Sequence, residues 1–526
     1  MKLAVARMPR GWKGGAPHYI YQDIITGDAE RGARLVMGKA ATSLGLYKLP
    51  RLDGLQPWRE QAPEAIKPWL YSFEWLRDLR ALGNNDARLL ARRLMECWLK
   101  EPPADPLASE PTIMGQRLAN WHGHYEFCLG SGARGLQVQA GEAMVRDGRM
   151  LAAMVPLPPR GWEGLAVLRG LLAAFMVRPD HQGFLARFER YLPAEMKRVF
   201  LPDGTVAERS PEAQFSALVE LASILAMYGA MGTYPPPGVR ENLARATPVL
   251  RSLCHGDGGL ACFNGSSEGN RNSLATLFER IERTRLLAPN LPDGRFVRVV
   301  AGGALLLVDA GVPPKHGFDR RAHAGTLSFE FSWQSQRLLV NCGSFADPAW
   351  REALRASAAH NMILVGGESS CDFAKNGTIA RRPHHVRLEK FMSGGEHHLE
   401  MEQDGYRASH GALWKRALTL DEAGHNLRGF EIIEGERPQN VEVRFHVHPD
   451  VRVIQEEEEV ILKASGSIWR FSQQGGRLKV EGDVYCGRMQ PERSRQIVLV
   501  LPKERGSASG NGCIQTVSWH LEWLPG

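Results

Sequence analysis

The feature that most constrains this chain is a change of texture at Leu287 to Gly294 (LAPNLPDG). Before it, apolar residues recur at helical spacing, in Pro68 to Leu82, Asp86 to Leu99, Gly164 to Met176 and Phe184 to Phe200. Phe215 to Met227 gives the cleanest stripe: Phe215, Leu218, Val219, Ala222, Leu225 and Ala226 share one face. Ser210-Pro211-Glu212 ahead of it supplies a capping hydroxyl, a proline for the first turn and an acid against the dipole. Short Gly/Pro breaks between these helices predict antiparallel helix pairs in an array or a toroid. After the change, short alternating runs such as TLSFEFSW, LRGFEIIEGE and VEVRFHVHPD are separated by Gly, Pro, Asp and Asn turns. They predict a large antiparallel β-sandwich. The fold class expected is therefore α+β and multidomain. Residues 1–60 form an N-terminal extension, 61–294 a helical domain and 295–526 the sandwich. The glutamate run Glu456 to Glu459 reads as an exposed edge or hairpin that resists pairing.

Composition narrows the function classes. With 526 residues, 43% hydrophobic and 23% charged, the chain can bury large cores. The net charge of +7 is spread rather than clustered, so no nucleic-acid partner is expected. Eight scattered cysteines with no CxxC argue against a zinc ribbon or a disulfide scaffold and fit a reducing compartment. The apolar run near the N-terminus is too short for a signal peptide, which predicts a cytoplasmic protein. No apolar run approaches the roughly 20 residues of a membrane span, so no transmembrane segment is expected.

Candidate chemistry concentrates between Arg320 and Asn361. His323 precedes one strand-like run, Asn341 ends the next, and His360 follows a helical turn, so three donors sit where element ends can converge. In the helical half, Asn120, Trp121, His122, His124, Tyr125 and Glu126 put an amide, an indole, two imidazoles, a phenol and an acid into one segment. Either this is an acid–base and sugar-stacking set or Trp121 and Tyr125 are the buried face of a helix. Glu208-Arg209 reads as a local ion pair or as a clamp. Arg321 can grip a carboxylate with two parallel hydrogen bonds. Asn264, Ser266 and Glu268 lie in a Gly-rich loop whose polarity suits either a ligand or a turn. Tyr406, His410 and Arg416 can reach a cleft, though strand packing also explains Tyr406. His446 and His448 share one strand face.

HAGTLSFEFS, LLVNCG and AAHN, with LPDGTVAERSP, HGDGGLACFNGSSEG, DGYRASHGALWKRALTL and RFHVHPD, resemble the heparinase II/III family of polysaccharide lyases. The resemblance runs from about Pro68 to the C-terminus and is most specific in the C-terminal motifs. It implies an (α/α) toroid followed by the β-sandwich, with an acidic polysaccharide in the cleft between them. It also implies β-elimination at a uronic acid. The resemblance further implies a structural zinc, for which His323, Asn341 and His360 are the matching positions, Asn341 standing where relatives carry an acid. The family's Asn-His and Tyr-His pairs are not found: Glu212-Ala213-Gln214 follow Ser210-Pro211, and no Asn-His lies in Trp162 to Leu171. A rearranged catalytic set is then His124, Tyr125, Glu208 and Arg209, with Asn120, Trp121, Asn264, Glu268, Arg321, Tyr406 and His410 binding substrate. The alternatives are a catalytically degenerate glycan-binding relative, or a glycoside hydrolase using Glu126 and Glu208. Family resemblance also implies the cell envelope as an alternative location.

Overall fold

The computed structural model describes residues 15–42, 45–48, 62–158, 160–281, 286–288, 290–345, 347–436, 439–502 and 513–525. Of the expected extension at 1–60, the stretches 1–14, 43–44 and 49–60 lie outside these. Its described part is no appendage, because Tyr21, Ile24, Ile25, Leu35 and Ala40 are buried in the helical core. Helix Ala29–Val36 lies so close to Leu76–Leu82 that a Cβ on Gly32 would sit 2.3 Å from the Asp78 carbonyl oxygen.

The helices predicted from spacing form, with one break. Pro68 to Leu82 divides into Lys67–Tyr71 and Leu76–Leu82. Phe73 between them adopts φ +61° and is buried against Trp75, Trp98 and Trp121, at ring separations of 4.9, 5.2 and 5.2 Å. Burying that aromatic cluster outweighs the cost of a left-handed residue. Helix Pro111–Gly123 carries no clean stripe because it is buried on nearly every side. Its Arg117 pairs with Asp147 of Arg134–Met154 at 2.9 Å. Its Gly115 lets Trp162–Val177 approach until a Cβ on Gly170 would lie 2.5 Å from the Gly115 Cα.

Helix Pro211–Ala230 begins as its sequence indicates, with Ser210 Oγ accepting from the Ala213 N–H at 3.3 Å. It is long and apolar enough to cross a membrane by length and composition alone. Here it is a core helix: 67% of its most apolar stretch is buried, and its Glu220 pairs with Arg169 of Trp162–Val177 at 2.5 Å.

The strand-rich half stacks two antiparallel sheets. One runs in the order Val386–Ser393, Glu396–Gln403, Leu413–Asp421, Asn426–Gly435, Cys513–Leu524, Ser467–Gln474, Glu459–Ala464 and Arg452–Glu456. The other runs Arg477–Tyr485, Glu492–Val500, Val441–Val447, Gln336–Leu339, Phe329–Trp333, Ala304–Asp309 and Phe296–Ala301, with Ile363–Val365 also paired to Val441–Val447. The glutamate run is both hairpin and edge: it closes the turn between Arg452–Glu456 and Glu459–Ala464, and the first of these strands ends its sheet. Between the sheets lies one aromatic core, in which Phe329 stacks on Trp519 at 5.6 Å.

One ion pair is buried within that core. Arg416 and Glu431, opposite each other on adjacent strands, meet at 2.9 Å with both side chains fully buried. Glu431 also accepts from the indole N–H groups of Trp414 and Trp519, at 2.9 and 3.1 Å. Arg416 donates to the Leu327 and Asn361 carbonyls at 2.8 and 2.7 Å. Leu327 sits at φ +68°, so the strand predicted from Thr326 starts only at Phe329.

The two halves meet on a dry seam of Val249, Leu253, Ala261 and Phe263 against Phe296, Leu305 and Leu307. Around it His255 pairs with Glu330 (2.8 Å) and Arg337 with Asp257 (2.9 Å). Removing one partner of a buried, multiply bonded pair leaves a charge without compensation. Arg416→Met is therefore expected to cost about 3–5 kcal/mol in urea unfolding. Arg416→Met combined with Glu431→Leu should recover only part of that loss, since it removes the stranded carboxylate but leaves the Trp414 and Trp519 indole N–H groups without their acceptor.

Candidate functional site

A polar site forms where the start of helix Trp162–Val177 meets the loop before Pro211–Ala230 and the loop before Phe329–Trp333. Gly161 opens it at φ +71°, and a Cβ there would fall 1.7 Å from Glu208 Oε1. Only glycine allows the Glu208 carboxyl to reach the helix start, where Oε1 accepts the Trp162 backbone N–H at 3.0 Å. The other oxygen, Oε2, is shielded and has no hydrogen-bond partner. Burial pushes this carboxyl up to about 7, with the nearby Glu163 adding to the rise and Arg321 opposing it. Arg321 leaves most of its side chain in solvent, pairs with Glu163 at 2.8 Å and holds its guanidinium 5.9 Å from the Trp162 ring. Glu212 completes the group: Ser267 donates to it through backbone N–H and hydroxyl, both at 3.3 Å. Burial raises its pKa and Arg321 opposes that. The site thus holds a carboxyl poised near neutrality, an accessible cation and a half-buried indole.

Glu208 and Arg321 are the predicted residues that this site brings together. Asn120, Trp121, His124 and Tyr125 are instead buried in the helical core. Asn120 donates to the Ser72 carbonyl at 2.8 Å, and His124 Nδ1 contacts the Asn120 carbonyl at 2.9 Å. The N-terminal segment covers them: Asp23 lies 3.9 Å from His124 and its N–H donates to the Gly123 carbonyl. Burial drives His124 down to about 4 and Tyr125 up to about 12, which leaves both neutral at pH 7 and neither ready to exchange a proton with a ligand. Glu126 adjoins them at the helix end.

Arg209 belongs to the seam, with φ +50° and its guanidinium on Asp309 and the Gly294 and Val312 carbonyls. Asn264 bonds Asp309 and the Arg209 carbonyl, both at 2.9 Å, and accepts the His323 N–H. Glu268 is buried among Tyr485, His448 and Arg271 at 2.9, 3.2 and 2.9 Å. These three therefore hold loops rather than face a cleft. The Tyr406 hydroxyl donates to the Ile363 carbonyl at 2.6 Å, and His410 lies 3.4 Å from Glu368.

The three zinc positions do not form a donor set. His323 Nδ1 and His360 Nε2 contact each other directly at 3.1 Å. Asn341 turns away: its amide nitrogen donates to Glu330 at 3.3 Å and its oxygen accepts the Asn361 N–H at 3.1 Å. The sequence reading missed Trp162, Glu163 and Glu212 as site residues. Their signal was present as two acids in the first turns of two helices and a glycine immediately before an indole, but helix capping explains the same pattern.

With that geometry in hand, comparison with known proteins identifies relatives of the strand-rich half and of the fold. The description "Heparinase II/III-like, C-terminal" matches residues 283–519, the strand-rich half. That half is heparinase II/III-like. The crystal structure of heparinase III superposes on this chain with a TM-score of 0.75 at 12% identity, over 99% of this chain and 88% of that one. A Streptomyces coelicolor A3 chondroitin AC lyase, solved with chondroitin sulphate, gives 0.56 at 11%, over 95% and 79%. These likenesses establish the shared fold, helices followed by sheets. A relative from Caulobacter vibrioides (strain NA1000 / CB15N), FtsZ-localized protein C, is 24% identical over 94% of this chain and 92% of its own length.

The covered histidines have a measurable consequence. His122 and His124 both sit at about 4 instead of 6.5 because burial disfavours the imidazolium. The unfolded chain binds protons that the folded chain refuses, so stability is full above about pH 6.5 and falls as pH drops towards 4. Each histidine contributes on the order of 3 kcal/mol to that loss. Thermal melts of His124→Gln should show a shallower decline across this window than the parent protein.

Proposed function

We propose that the chain binds a carboxylate-bearing glycan at the Glu208–Arg321 site and cleaves it by lyase-type β-elimination. The observation that carries this reading is the Glu208 carboxyl, poised near pH 7 with an unpartnered oxygen beside an accessible arginine. Arg321 would exchange Glu163 for the sugar carboxylate and withdraw charge from it, which acidifies the C5 proton. Ionised Glu208 would take that proton; the C4–O4 bond breaks as the C4–C5 double bond forms, and the proton passes to the leaving oxygen. Trp162 offers a ring face to a sugar. Glu163 and Glu212 crowd the same site, which favours a glycan with isolated carboxylates over a densely sulfated chain. The eight free cysteines fit a protein that does this work in a reducing, cytoplasmic setting.

The test is ultraviolet absorbance of the unsaturated sugar end, followed across uronate polymers and other carboxylate-bearing glycans. Turnover should rise as pH increases through about 7 and fall by about 100-fold or more in Glu208→Gln. Arg321→Ala should raise KM. Binding without turnover on every glycan would reject the elimination and leave a binding protein.

A second reading has its own support. The relative matched along nearly its whole length carries the name FtsZ-localized protein C, and this chain lacks the Asn-His and Tyr-His pairs. In that reading the fold serves placement where FtsZ is found. A fluorescent fusion that co-localises with FtsZ and disperses when FtsZ is depleted would favour it, whereas a distribution independent of FtsZ would reject it.

A further inference from the structure

The anionic donor that the resemblance-implied zinc position lacks at Asn341 is present one residue further on, at Cys342. Cys342 follows strand Gln336–Leu339, His446 lies in Val441–Val447 and Asp483 in Arg477–Tyr485, three segments of the same sheet. Their donor atoms converge. Cys342 Sγ is 3.2 Å from His446 Nδ1 and 3.7 Å from Asp483 Oδ2, and His446 Nδ1 is 2.8 Å from the same Oδ2. Among the described residues these three form a metal-competent cluster, with all ligand atoms within 4.8 Å of one another.

The arrangement is wrong for a thiol nucleophile. A cysteine activated by a histidine and oriented by a carboxylate needs both imidazole nitrogens, one for each partner. Here thiol and carboxylate both point at Nδ1, while Nε2 is buried with no partner. With Nδ1–H given to the carboxylate, the thiol is left the same carboxylate as its acceptor, at 3.7–3.8 Å, so all three groups crowd one point. A cation at the shared focus satisfies all three. Zinc bonds of about 2.3 Å to sulfur and about 2.0 Å to nitrogen and oxygen give tetrahedral edges of about 3.3–3.6 Å. The observed 2.8, 3.2 and 3.7 Å need shifts of only a few tenths of an ångström.

We propose that Cys342, His446 and Asp483 bind one Zn²⁺, distinct from the His323–His360 pair. On binding, the S–H bond breaks, the Zn–S bond forms and the thiol proton leaves to solvent. Thiolate and carboxylate then cancel the dication, so a nearly closed pocket carries no net charge. The thiolate selects zinc over magnesium or calcium. The backbone is already locked around the site: Cys342 N–H donates to the Ala359 carbonyl at 2.9 Å, and its own carbonyl accepts from Cys486 N–H at 2.7 Å. Asp483 is the least buried ligand, which leaves the fourth position on its side for a water.

Cobalt substitution tests this on the full-length protein. After chelator treatment, Co²⁺ should bind one per chain with a thiolate-to-cobalt charge-transfer band in the near ultraviolet. Cys342→Ser should abolish the band, and His446→Gln and Asp483→Asn should each weaken binding at least tenfold against a chromophoric chelator. His323→Ala should keep both band and stoichiometry. Zn²⁺ should also raise the melting temperature of the parent protein but not of Cys342→Ser, and equal apo-protein melting temperatures show that the variant is folded. Failure of the parent to bind cobalt, a band that survives Cys342→Ser, or its loss in His323→Ala instead overturns the proposal.

Discussion

The strand-rich half depends on the buried Arg416–Glu431 pair. Glu431 collects the indole N–H groups of Trp414 and Trp519, and Arg416 carries the other end to the Leu327 and Asn361 carbonyls. A guanidinium buried this deeply needs acceptors for its donors; Nε and Nη1 find them, and Nη2 alone is left without one. That requirement ties the sheet of Leu413–Asp421 and Asn426–Gly435 to the start and finish of the segment from His323 to Asn361. The left-handed turn at Leu327 and the position of His360 follow from it. Even the neighbouring polar residues are recruited, as Asn361 reaches the Phe329 carbonyl and the His446 N–H.

From that fixed segment the structure extends across the seam. Glu330, on the first strand after the turn, accepts from His255, Cys262 N–H and Asn341. Arg209 and Asn264 meet at Asp309. Arg321 is thereby delivered to Glu163 and Glu208, groups that belong to the helical half. The site's chemistry rests on this rigid joint: a carboxyl approaches neutrality at Glu208 because glycine at 161 admits it to a shielded corner. The same economy of position appears at Cys342, where the sheet brings a thiol, an imidazole and a carboxylate to one point.

Much of this was readable from residue patterns. The helix start at Ser210-Pro211, the strands after Leu287 to Gly294 and the glutamate hairpin are local events, decided by spacing, capping and turn chemistry within a few residues. Arg321 and Glu208 were legible as polar residues in motif segments. His124 and Tyr125 were misleading for a physical reason: a helix end that carries polar and aromatic groups looks alike whether those groups face a cleft or a covering segment. The strip Tyr21 to Ile25, roughly a hundred residues away in sequence, packs on His122, Gly123 and His124, and no local pattern announces that contact. Asn341 likewise reads as a weak ligand, whereas its hydrogen bonds to Glu330 and Asn361 are long-range in origin.

The sequence by itself determined the two textures, the family motifs and which residue types were available. Side-chain periodicity and backbone propensity act over one or two turns, so they survive without knowledge of the fold. Only the tertiary structure decided which polar residues meet. It buried His124 and Tyr125, joined Glu208 to Arg321, and gathered Cys342, His446 and Asp483 from positions up to 141 residues apart. Desolvation and convergence depend on what packs from outside the local segment, and those quantities set both the pKa of a carboxyl and the possibility of a metal site.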